Sequence, residues 1–287
     1  MRKILLPLTV LTGAVAGLIR AYEWRWAWEE GARGLMKPNH WITLLLLGVS
    51  AALFLAVLLI TRGAPRKHDP DWDVSGLAAP SPWFGWAGVA GVLAMLAGAG
   101  LEVRRYIVDT PKYGLSVLIF ALLSLLAAAS ILVVLWAAAR GALKRSYGIY
   151  MLVPVFWACF WLVRDIGKYA VDPVQPRFFY DMMGTVFTLL ALYSAAGFFY
   201  SQARARRTLV YCSMGVYFSL VTLLGVGLHW LLWGGLPADR LFHIADLTRY
   251  AFALLYLPAV FVTVGKGMRR EESGVSEVSE VSEVSEQ

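Results

Sequence analysis

Eight charged residues stand at the ends of long apolar runs: Glu102, Arg105, Asp109, Arg164, Asp165, Lys168, Asp172 and Arg249. Groups so placed can do one of two things. Arginine and lysine beside a partly dehydrated boundary bind carboxylates or phosphates, the planar guanidinium through two parallel hydrogen bonds. The same cations, paired across helices with Glu102, Asp165, Asp109 and Asp172, close instead into a collar of salt bridges that needs no ligand. The first arrangement is an outward-open vestibule for a small polar or anionic ligand, with Arg105, Arg164 and Arg249 as its cationic contacts. The second is structural, and sequence leaves both open. Further charges share this face, among them Glu23, Asp181 and Asp246.

Two of the runs close on related words, RRYIVD at 104–109 and GKYAVD at 167–172. A basic residue, a tyrosine and an aspartate in that order suit a helix leaving a membrane: the cation reaches the headgroups, the ring joins the interfacial aromatics, and the acid starts a turn. Downstream, FALLSLLAAAS at 120–130 stands where FTLLALYSAAG stands at 187–197. Such correspondence fits duplication of a two-helix unit and also the shared composition of membrane helices.

The elements that must carry these charges follow from composition. In 287 residues, 59% are hydrophobic and 16% charged, which a soluble domain of this size could not cover with polar surface. Apolar runs near the roughly 20 residues needed to cross a bilayer occur eight times, at 4–19, 41–61, 83–101, 114–139, 147–163, 182–200, 208–233 and 247–264. The expected fold is an all-α integral membrane protein of about eight transmembrane helices arranged as four helical hairpins. That domain covers 1–270, with a cytoplasmic linker at 63–82, and 271–287 form an acidic tail. VSE repeats four times in the tail, a three-residue period that holds no apolar stripe on a helix, so disorder is expected there.

Short basic clusters around Arg62, Arg140, Arg204 and Lys266 fall at alternate connections, which predicts cytoplasmic termini in a cell membrane. The first run also reads as a signal peptide, with Arg2 and Lys3 ahead of a short apolar stretch and small residues at 14–17. Gly13 and Gly17 favour a retained helix, because that spacing lets two helices approach closely, and the second run is its expected partner. After it, EWRWAWEE alternates Trp24, Trp26 and Trp28, as a segment lying in the interface would.

Other chemistries lack their residues. The four histidines, His40, His68, His229 and His243, have no paired ligand spacing, so no metal or haem is expected. Cys159 and Cys212 sit within apolar runs as packing residues. No nucleophile elbow, zinc-protease, phosphate-loop or dinucleotide motif occurs, so no cofactor is expected. The +7 net charge lies in juxtamembrane clusters suited to anionic lipids rather than nucleic acid. No ionisable residue lies mid-run, where ion-coupled carriers place theirs. Three functions remain: binding or passage of a small polar or lipid-derived ligand, a membrane enzyme acting on lipid or envelope substrates, or a sensor or assembly subunit. The last requires a membrane protein partner or a homo-oligomer.

Overall fold

The computed structural model describes residues 2–27, 40–63, 82–108, 114–169, 178–202, 204–234 and 244–285. Eight helices carry the described chain: α1 (Arg2–Trp26), α2 (Trp41–Ile60), α3 (Pro82–Val108), α4 (Ser116–Ala139), α5 (Gly148–Tyr169), α6 (Phe179–Gly197), α7 (Ala205–Trp233) and α8 (Ile244–Ser285). All eight are long and apolar enough to cross a membrane, so the chain is an all-α multi-pass membrane protein. Helix is the form that bonds every backbone N–H and C=O within one segment where no water can do so. Pro7, Pro154 and Pro258 lie inside α1, α5 and α8, which continue through them.

Six helices form a closed ring. Each of α3 to α8 packs on its neighbour in sequence, and α3 packs along α8 to close the circle. Because α4–α5 and α6–α7 pack much as α3–α4 and α7–α8 do, the contacts single out no division into hairpins. α1 and α2 stand outside the ring. α1 lies along α7, more extensively than along α2, and α2 is the most lipid-exposed span.

The α1–α7 contact uses the small residues that the sequence marked, with a different partner from the one expected. A Cβ on Gly17 would come within 2.7 Å of Leu224 Cβ, and one on Gly13 within 2.9 Å of Leu220 Cδ2. In lipid, where helices gain nothing by hiding apolar surface from water, such close backbone approach supplies the packing. α7 is the most buried helix and is rich in small and hydroxylated residues along its length.

Hydroxyls do two jobs here. Thr9, Ser50, Ser124, Thr188, Ser213 and Thr263 each donate to the carbonyl four residues back. Two also join helices: Ser124 Oγ accepts from Trp157 Nε1 at 2.8 Å, tying α4 to α5, and Ser50 shares a 2.7 Å bond with Tyr217, tying α2 to α7. Cys212 is buried as expected, whereas Cys159 is exposed on the lipid side of α5.

Several helices outrun their apolar runs. α3 extends to Val108 and α5 to Tyr169, so Glu102, Arg105, Arg164 and Asp165 occupy the last helical turns rather than the loops beyond them. α1 extends to Trp26, so Trp24 and Trp26 lie on its last turns, and Trp28 lies outside the described residues. The crossing part of α8 ends at Lys266, and its helical backbone continues to Ser285 through the VSE repeats.

Candidate functional site

The ends of α3 and α5 and the starts of α4, α6 and α8 meet at one end of the ring, and the charged residues there turn inward. Glu102 of α3 is their centre. Its Oε1 accepts hydrogen bonds from Arg164 Nη1 of α5 at 3.0 Å and from Arg249 Nη2 of α8 at 2.5 Å. Its Oε2 accepts a longer bond from Arg164 Nη2, at 3.5 Å, and lies 3.8 Å from Arg105 Nη1, one turn along α3. Three guanidinium groups from three helices thus share one carboxylate.

Arg249 is the hub on the cationic side. Besides Glu102, it contacts Asp246 Oδ1 at 3.1 Å on its own helix and Asp165 Oδ1 at 3.8 Å on α5. Its side chain is 4% exposed and that of Glu102 is 1% exposed, while Arg105 and Arg164 keep 17% each. The pattern is graded, with a dry centre and two arginines reaching toward solvent. Desolvating a charge costs several kcal/mol, and only the multiple partners make this burial tolerable.

The floor under the arginines is aromatic. Arg249 Cζ lies 4.4 Å and Arg164 Cζ 4.7 Å from the Phe120 ring centroid of α4, within cation–π range. Trp157, itself stacked near Phe120, and Trp161, Phe252 and Tyr256 fill the ring interior beneath. α6 joins from the side: Thr185 donates to Asp165 Oδ2 at 2.8 Å, Thr222 of α7 donates to Asp181 Oδ1 at 2.9 Å, and Tyr250 donates to the Asp181 carbonyl at 3.1 Å.

A second buried pair lies at the same end on α1. Arg20 and Glu23 bond one turn apart, both side chains 1% exposed. The Arg20 guanidinium packs over Trp24 at 4.9 Å and over Tyr180 of α6 at 4.8 Å, with Gly225 of α7 leaving room for its stem. Tyr180 adjoins Asp181, so the first turn of α6 meets Arg20 of α1, Thr222 of α7 and Tyr250 of α8. His229 packs against the rings of Trp24 and Trp233.

Glu102, Arg105, Arg164, Asp165 and Arg249 therefore come together. The side chain of Lys168, and Asp109 and Asp172 altogether, lie outside the described residues. The sequence reading missed the roles of Phe120, Thr185 and Thr222. The burial of Arg20 with Glu23 had a signal, an opposite pair at a three-residue spacing directly after an apolar run. Among the described residues no three potential ligands converge on a metal site. An apolar cleft of about 660 Å³ opens between α1 and α2, lined by Leu18, Tyr22, Trp26, His40, Trp41 and Leu45 among others, and shares no residue with the charge cluster.

The sequence matches no family model, and no curated protein or solved structure is similar to it.

Proposed function

We propose that this multi-pass membrane protein binds a small anionic ligand at the arginine cluster, on the outer face of a cell membrane. One observation carries the reading: the Glu102 carboxylate is held by three guanidinium groups, two of which remain partly solvated. A carboxylate or phosphate arriving from solvent meets Arg105 and Arg164 first and can take over the donors that Glu102 now occupies. Intramembrane ionisable residues are functional candidates by default, because structure alone could be built from apolar side chains. Binding is favoured over passage, since large aromatic side chains occupy the ring beneath the cluster.

The orientation rests on the opposite end, where Arg62, Arg140, Lys144, Arg145, Arg204 and Lys266 project exposed cations beside the spans. Positive charge next to short connections stays on the cytoplasmic side. In a Cys159→Ser background, a cysteine at Ser201 should resist an impermeant thiol reagent in intact cells, while one at Asn39 should label. The reverse pattern would invert the molecule.

The ligand test uses thermal unfolding of the purified protein with a panel of carboxylates, phosphates and lipid headgroups. At least one anion should stabilise the parent protein, and Arg164→Gln should lose most of that gain, as expected for removal of a charged hydrogen bond of about 1.5–3 kcal/mol. Equal stabilisation of both proteins would remove Arg164 from the site.

A further inference from the structure

We infer that anion binding at the Glu102 cluster is coupled to uptake of one proton by Glu102. The inference rests on the anion-site reading above and follows from two anions meeting one set of N–H donors in a dry site. Among the described residues, three guanidinium groups, Arg105, Arg164 and Arg249, already face three carboxylates, Glu102, Asp165 and Asp246. A fourth carboxylate, Asp181, lies on α6, bonded by Thr222. α4 contributes the uncharged ring of Phe120.

An anion entering here adds a negative charge beside the Glu102 carboxylate, in surroundings that water screens poorly. It also competes with Glu102 for the same N–H donors. Both conflicts end if Glu102 takes a proton from the aqueous face as the anion enters. The neutral carboxyl releases the guanidinium groups to the ligand and can itself donate a hydrogen bond to it. When the anion leaves, the proton returns to water and the Glu102 carboxylate closes on the arginines again. Glu102 is suited to the role because it meets all three arginines, two of which reach toward solvent.

Acetate is the probe, as the smallest mimic of the Glu102 carboxylate. Its affinity would be read from the acetate dependence of thermal unfolding at constant ionic strength, from about pH 8 down to about pH 6, where acetate itself stays ionised. Coupling to one proton makes the parent protein bind acetate more tightly as pH falls, by at most about tenfold per unit. Glu102→Gln, which mimics the protonated side chain, should bind acetate with no such slope, and Glu102→Asp should keep it. Calorimetry of the parent alone, in buffers of different ionisation enthalpy, should count about one proton taken up per acetate bound.

Acetate binding that is flat with pH in the parent, or equally sloped in the parent and Glu102→Gln, would overturn the coupling and leave the anion site standing. No acetate effect on the parent or Glu102→Gln at any pH would overturn both.

Discussion

Replacing Arg249 with leucine should destabilise the bundle by about 3–5 kcal/mol, the range for removing one partner from a buried charge network. Arg249 contacts Glu102, Asp165 and Asp246, and its loss leaves carboxylates on α3, α5 and α8 gathered with too few cations. The loss reaches beyond local packing, because α3–α8 is the contact that closes the ring. Unfolding in mixed detergent micelles measures the loss. A change below about 1 kcal/mol, the value of an exposed ion pair, would mean that the cluster does not hold the helices together.

Trp157→Ala is the other substitution with a large expected effect, about 3 kcal/mol. Soluble cores lose about 3–5 kcal/mol for such a truncation, and the transfer part of that figure shrinks where the unfolded helices remain in lipid. The cavity part stays. Trp157 is 1% exposed, stacks near Phe120, meets Phe252 edge-on at 5.3 Å and donates to Ser124. Its removal also unseats Phe120, the platform under Arg164 and Arg249. Anion binding should therefore weaken together with stability. Trp157→Phe keeps most of the volume and should lose about 1 kcal/mol, the value of the hydrogen bond. Equal losses for the two variants would show that packing volume contributes little at this position.

The spans and the charged end were legible because each signal is local. Twenty apolar residues can do little but cross a bilayer, and a charge within a turn of such a run must find a partner or solvent. Glu102, Arg164 and Arg249 were visible on that ground before any helix was placed. What could not be read was which partner each would find. Gly13 and Gly17 promise a close approach without naming the neighbour, and α7 rather than α2 proved to be the main one. Closure of α3 onto α8 joins segments far apart in the chain, and no local pattern encodes it.

Helix ends were misplaced for a related reason. Counting apolar residues stops α1 at Ile19, but Arg20 and Glu23 neutralise each other one turn apart, so the helix continues to Trp26 with both side chains buried. The same holds for α3, where Glu102 and Arg105 lie one turn apart and Glu102 is further neutralised from α5 and α8. Phe120 was hidden differently. Within an apolar run its ring is indistinguishable from a lipid-facing one until the guanidinium groups are seen above it.

If an anion binds at this cluster, the Glu102 seat among the three arginines must be exchangeable. The most direct measurement is a cryo-electron microscopy structure in lipid nanodiscs, saturated with the most stabilising anion of the panel. The account predicts density for that anion about 2.7–3.0 Å from the guanidinium nitrogens of Arg164 and Arg249, with the Glu102 carboxylate turned away from them. Glu102 still bonded to both arginines at saturation, with the anion elsewhere, would contradict it and leave the cluster as a salt-bridge collar.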